Sequence, residues 1–335
     1  MRALYLLLAA LAVVLSSASC GKREEPRRMN LGYFPNVTHA QALIGISRGD
    51  FAADLGEDVP FKPVGFNAGP AAIEAIFAGH VDVVYIGPSP TINGFLKSDG
   101  AEVRLIAGSA ENGIIIVGNK ARGITSLAQL KGARVATPQR ANTQDISARH
   151  YIAHTLGFPI GRGEGFTEVI PMPNPDIENL FQKNQLDAAW VPEPWGARME
   201  EKGLVNIIAE EKDLWESGHF PLTCIIARAS FLEAHPDLVE KVLRTHKRLT
   251  AELNGDVAPL LKPINDQIHA VTKKRIPDSV LITSLARCRF TIEPDAVGLE
   301  RFFEKGRDLL FYRNRRLDLD RLVDDRILRR IKEQP

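Results

Sequence analysis

Three cysteines in 335 residues are too few for a disulfide-built scaffold. Cys224 and Cys288 read either as two buried apolar residues or as one disulfide, and spacing does not choose between them. Neither sign of charge is in excess: 42 Lys and Arg face 41 Asp and Glu, for a net charge of +1. That balance gives no support for a polybasic surface for nucleic acid or for a membrane. Gln/Asn-rich and Ser/Gly-rich tracts are missing, so no long disordered region is expected. No P-loop or strand-borne G-x-G-x-x-G occurs, and the one G-x-S-x-G match, Gly45 to Gly49, falls in the helix expected toward Arg48 rather than at a strand-to-helix elbow. Gly161-Arg162-Gly163-Glu164-Gly165 comes near the last of these, but it follows a helix and reads as a loop. The chain is nonetheless long enough for two α/β lobes with large cores.

What is present begins at the amino terminus. Residues 1–20 hold one early Arg, an apolar run from Leu4 to Leu15, small residues and Cys20. This reads as a secretory signal, too short to span a bilayer comfortably. The small residues ending in Cys20 resemble the bacterial lipobox, which implies acylation of that thiol. Ser17 departs from the Leu usual there, and a plain cleaved signal is the other reading. Residues 21–29 then serve as a tether.

IFAGHVDVVYIGPSP, from Ile76 to Pro90, joins a helix end to an apolar strand that stops at Gly-Pro-Ser-Pro. Ser89 is the expected N-cap and Pro90 the first helical residue. Ile92, Phe95 and Leu96 share one helix face. In an open parallel sheet such a junction lies at the carboxyl edge of the strands, where ligands bind. The unit recurs: allowing a one-residue shift, IEAIFAGHVDVVYIGPSP from Ile73 matches IENLFQKNQLDAAWVPEP from Ile177, with Asp82 over Asp187 and Tyr85 over Trp190. Two copies about a hundred residues apart fit two similar lobes rather than a solenoid.

Similar junctions follow MNLGYF (Pro35 to His39), FKPVGF (Asn67 to Pro70), ARVATP (Gln139 to Asp145) and EVIPM (Pro173 to Asp176). Asn142 or Thr143 caps one helix, and Asn174 caps another that Pro175 opens. If the lobes face each other, these junctions meet in one cleft. Tyr33, Tyr85, Trp190 and Trp195 are then candidate apolar walls, and caps and free N–H groups candidate hydrogen-bond partners. From Pro236 onward the pattern is mainly helical, ending in a solvated amphipathic helix.

GYFPNVTHAQALIGISRGDFAADLG, FNAGPAAIEAIFAGHVDVVYIGPSPTIN, ATPQRANTQD and LDAAWVPEPW together resemble the solute-binding proteins of bacterial ABC importers. Within that group they are similar to the aliphatic-sulfonate, taurine and nitrate binders. The resemblance covers roughly Asn30 to Leu328. It implies a type II periplasmic-binding-protein fold, two α/β lobes with a hinge and a ligand cleft between them. Lobe I would hold residues 30–112 and 226–335, and lobe II residues 113–225. The implied ligand site comprises Tyr33, Asn36, Thr38, His39, Asn67, Gly69, Tyr85, Gly87, Ser89, Asn142, Thr143, Gln144, Asn174, Glu193 and Trp195. Arg140-Ala141 stands where this branch often has a small Gly, which bears on the pocket's charge. The implied protein is an exported monomer, lipid-anchored in the periplasm or at the cell surface. It would pass a small oxyanion to a permease with its ATPase, without cofactor, metal, nucleic acid or catalysis.

Three other readings compete. Binders of a neutral pyrimidine or thiamine precursor share the fold, and some clamp-like folds host enzymes. His150 and His154, spaced i, i+4, could bind metal, but no further ligand accompanies them and surface histidines explain the pair. His39 reads equally as a binding group or as helix-start packing. Glu193 would either neutralise an amino group on the ligand or favour the helix it precedes.

Overall fold

A computed structural model describes residues 25–312 and 314–333. Cys20 and the signal segment lie outside the described residues. β1 (Met29–Tyr33), β2 (Phe61–Gly65) and β3 (Val83–Ile86) run parallel in the order β2-β1-β3. Helices return the chain between them, as parallel pairing requires. β4 (Val103–Asn112) crosses at Asn112-Gly113, both with positive φ, into β5 (Ile114–Asn119) of a second sheet. That sheet repeats the plan: β6 (Arg134–Thr137), β7 (Glu168–Pro171) and β8 (Ala188–Pro192) are parallel, and β5 and β9 (Val205–Glu210) are antiparallel. β10 (Pro221–Arg228) returns to the first sheet beside β3 and β4, and β11 (Cys288–Phe290) forms its edge. The expected boundary at 225/226 falls inside β10, all of which belongs to the six-stranded sheet.

The repeat seen in the sequence is a repeat of structure. Asp82 accepts the Asn30 N–H at 2.9 Å, and Asp187 accepts the Arg134 N–H at 2.7 Å. Each also pairs with an arginine at 2.8 Å, Arg228 for Asp82 and Arg122 for Asp187. The matched aspartates therefore tie off the starts of neighbouring strands, at the end of each sheet away from the strand-to-helix loops.

One apolar core passes from lobe to lobe. Ile86 and Leu105 of the first sheet, Ile114 and Trp190 of the second, and Phe302 of the Ala296–Asp308 helix belong to the same buried cluster. That helix packs on both the Pro88–Lys97 and the Thr143–His150 helices, so it straps the lobes together. The carboxyl terminus differs from expectation. It forms two short helices, Leu319–Leu322 and Arg326–Glu333, separated by a bridge from Val323 to Leu105. Leu322, Ile327, Leu328 and Ile331 are buried, so this end is part of the fold rather than a solvated helix. Cys224 and Cys288 are free thiols.

Candidate ligand-binding site

The strand-to-helix loops of both sheets meet at a cleft with two connected kinds of space. An inner niche of about 40 Å³ is lined by loop residues of both lobes. It has room for about three waters at ~10–15 Å³ each, the size of a small oxyanion head. Outside it lies a chamber of about 740 Å³. Asn36, Asn67, Ala68, Pro138 and Asn174 border both.

Ten of the expected residues line the niche: Asn36, Thr38, His39, Asn67, Gly69, Gly87, Asn142, Thr143, Gln144 and Asn174. Asn36 caps a 3-10 turn, accepting from the Thr38 N–H at 3.1 Å and the Thr38 hydroxyl at 2.6 Å. The Phe34 N–H donates to His39 Nδ1 at 3.4 Å, which leaves Nε2 as the donor nitrogen of the neutral ring. Burial holds that imidazole neutral by pushing its pKa down to about 3. In the opposite lobe Asn142 is the cap, accepting the Asp145 N–H at 2.8 Å. Asp145 turns back to the Thr137 hydroxyl and the Ala141 N–H, at 2.8 and 2.9 Å. Its carboxylate therefore fixes the loop and does not face the niche. The lobes come so close here that a Cβ on Gly87 would collide with the Thr143 hydroxyl.

Four helix starts border the niche: Gly69–Phe77 and Pro88–Lys97 from lobe I, Thr143–His150 and Asn174–Gln182 from lobe II. Pro70, Pro88, Pro90 and Pro175 bring no N–H to those first turns. Thr143 and Gln144 keep theirs. Among the described residues lining the niche, none is a carboxylate, lysine or arginine. Two side-chain oxygens of the niche, Thr223 Oγ1 and Asn174 Oδ1, are buried without a hydrogen-bond partner, as is Gln139 Oε1 at the chamber. Buried polar atoms in native proteins are nearly always paired, so these three are candidate bonding points for a solute.

Five expected residues stand elsewhere. Tyr33 accepts from Gln267 Nε2 at 2.6 Å, inside lobe I. Tyr85 bonds His246 Nδ1 at 3.0 Å in the same core. Trp190, also offered as a wall, donates to Glu211 at 2.7 Å. The reason is geometric: strand side chains project into the helix layers on either face of a sheet, while the cleft lies beyond the strand ends. Ser89 is not a cap, because the Pro88–Lys97 helix starts one residue earlier with Gly87 in the capping position. The Ser89 hydroxyl instead donates to the Ala141 carbonyl at 2.9 Å and meets the Tyr312 hydroxyl at 3.1 Å, linking the lobes behind the niche. Glu193 is fully buried and pairs with Arg287 at 2.7 Å, so it offers no charge to a ligand. Trp195 opens the Trp195–Glu201 helix and lines the outer chamber, not the niche. Asn174 is the first helical residue rather than the cap, which is Pro173.

Sequence reasoning missed Pro138, Leu222 and Thr223 of the niche and Phe66 and Met172 of the chamber. Leu222 and Thr223 sit on the returning strand β10, where no turn or cap residue signals a site. Arg140 reaches the chamber's exposed rim, with its guanidinium 5.9 Å from the Phe311 ring centroid.

Two mixed-sheet lobes, joined by crossing strands and holding a cleft at the carboxyl edges of their parallel strands, define a bilobed periplasmic-type binding fold. The family model described as the NMT1-like family matches residues 22–258, and the chain belongs to that family. It is similar to the taurine-binding periplasmic protein of Escherichia coli (strain K12), with 26% identity over 70% of this chain and 67% of that protein. A putative aliphatic sulfonates-binding protein of the same organism is 25% identical over 75% of this chain and 74% of its own. Among solved structures, the alkanesulfonate-binding protein SsuA from Xanthomonas axonopodis pv. citri, bound to MOPS, superposes with a TM-score of 0.68 at 19% identity. That match covers 86% of this chain and 93% of SsuA. The periplasmic nitrate-binding protein NrtA from Synechocystis PCC 6803 gives 0.73 at 16% identity, over 92% of this chain and 89% of its own.

Proposed function

We propose that this protein is the extracytoplasmic solute-binding component of an ABC importer, capturing a small organic oxyanion of the sulfonate class and delivering it unchanged to the permease. The carrying observation is the niche bordered by four helix starts, two from each lobe, with no carboxylate among the described lining residues. Helix starts favour negative charge through free N–H groups and the aligned peptide dipoles. Thr143 and Gln144 N–H, the Thr143 hydroxyl and His39 Nε2 supply neutral donors. The named relatives, binders of taurine and aliphatic sulfonates, support the same class.

Calorimetry with sulfonates, nitrate and neutral aromatic bases tests the head group. Thr143→Val should weaken sulfonate binding by about 1–3 kcal/mol, the penalty when a charged partner loses a hydrogen bond. A second reading has its own observation: the niche carries no formal cation and two amide oxygens nearby lack donors. Tight binding of neutral bases with failure of every oxyanion would establish a neutral heterocycle binder instead. Return of each compound chemically unchanged separates receptor from enzyme.

The domain is monomeric in this proposal and is held at the membrane by acylated Cys20. Fatty-acid labelling of cells should mark the wild-type protein and spare Cys20→Ala, whose folded domain is released. An unlabelled wild type would leave only a cleaved signal.

A further inference from the structure

We infer that the solute carries a ring-sized apolar body and no ammonium group, which sets it apart from taurine and from bare inorganic anions. This deepens the sulfonate-class reading and rests on it. The niche admits only a head group, whereas the chamber beside it, about 740 Å³, lies in the range of pockets that hold drug-sized ligands. A two-carbon chain would leave most of that space to water.

The chamber's lining names the body's chemistry. Phe66, Met172 and Trp195 give flat or polarizable apolar surface, and Pro138, Pro171 and Pro173 stiffen the walls between them. Trp195 is half-buried, with Arg198 5.4 Å from its ring centroid on the helix side. Rings stack on such walls at little entropic cost.

Charge excludes the amine. Among the described residues lining niche and chamber there is no aspartate or glutamate, and the one charged side chain is cationic, Arg140. Glu193, the acid of the loop that carries Trp195, is committed to Arg287 at 2.7 Å and to the Ala197 N–H at 2.9 Å. An ammonium closed into this cleft would lose water, gain no counter-charge and face a like charge. The unpartnered Asn174 Oδ1 and Gln139 Oε1 lack a donor, which a hydroxyl or amide N–H near the head supplies without the desolvation cost of an ammonium.

The test is a matched series on the purified full-length protein: ethanesulfonate, taurine, benzenesulfonate and 4-hydroxybenzenesulfonate, each by calorimetry. Benzenesulfonate should bind at least about tenfold tighter than ethanesulfonate through ring stacking and burial. Taurine should bind about tenfold weaker than ethanesulfonate because its ammonium is desolvated without a carboxylate. Trp195→Ala should shrink the ring's advantage to within about threefold. Taurine binding as well as or better than ethanesulfonate, or a ring giving no gain in the wild-type protein, overturns the inference while the sulfonate reading stands. Failure of all four compounds, with neutral bases bound, overturns that underlying reading as well.

Discussion

Arg287→Ala should lower the unfolding free energy by about 3–5 kcal/mol, because it strands a buried carboxylate. Glu193 is fully buried, and its partner guanidinium lies 2.7 Å away. The same arginine reaches Glu200 at 2.9 Å, so it holds both the β8 exit loop and the Trp195–Glu201 helix. Burial already pushes the Glu193 pKa up against the lowering effect of the Ala197 N–H and Arg287. Without Arg287 the acid must take up a proton or unfold its loop. The Ala197 N–H at 2.9 Å and the Ser284 hydroxyl at 3.3 Å then remain as partners for a neutral side chain. Glu193→Gln placed on Arg287→Ala should accordingly recover much of the loss, the signature of a stranded charge rather than of lost packing. Urea titration of the three variants decides. A single-variant loss under 1 kcal/mol would mean that water reaches Glu193 and that the pair is not sealed. Because the loop also carries Pro192 of the niche and Trp195 of the chamber, solute affinity should fall with stability.

The same loop marks the limit of what the sequence told. Glu193 was legible as a residue at a junction, but its partner lies 94 positions away, and no local pattern pairs them. Junctions were legible because Pro, Gly, Asn and Ser act through their own backbone geometry. Asn36, Gly69, Gly87, Asn142 and Asn174 therefore fell at the niche. The aromatics Tyr33, Tyr85 and Trp190 were not, since which face of a strand meets a helix layer and which meets a cleft is a tertiary fact. β9 and β11 escaped notice for different reasons. Val205–Glu210 is a half-buried edge strand without sharp alternation, and Cys288–Phe290 is three residues pinned by β4 alone. The repeat around Asp82 and Asp187 did carry over, because each aspartate immediately precedes a strand and accepts from the start of the parallel strand beside it, 52 and 53 positions earlier in the same lobe.

Stability should also fall steeply with acid through two buried histidines. Burial pushes His39 to about pH 3 and His246 to about 4, from an ordinary value of 6.5. The unfolded chain takes up both protons as the pH falls through about 6.5, while the folded chain takes up neither until far lower. Their contribution is complete above pH 6.5 and is lost as pH drops toward 4, at about 1.4 kcal/mol per pH unit for each. Glu193 and Glu211 act in the opposite sense. Burial raises both, so the folded chain accepts their protons first. A single substitution isolates the histidine component. His246 Nδ1 accepts from the Tyr85 hydroxyl at 3.0 Å, and Nε2 donates to the Gly108 carbonyl at 3.0 Å. Glutamine can bond both partners but has no proton to take up. His246→Gln should therefore be less stable than wild type at pH 7 through imperfect packing. The gap should close by about 2 kcal/mol between pH 7 and 5, since only the wild type pays for an extra proton on the unfolded side. Urea titrations at pH 7, 6 and 5 read that convergence. Parallel pH dependences for the two proteins would show that His246 is protonated in the fold, and that the Tyr85–His246–Gly108 chain admits charge.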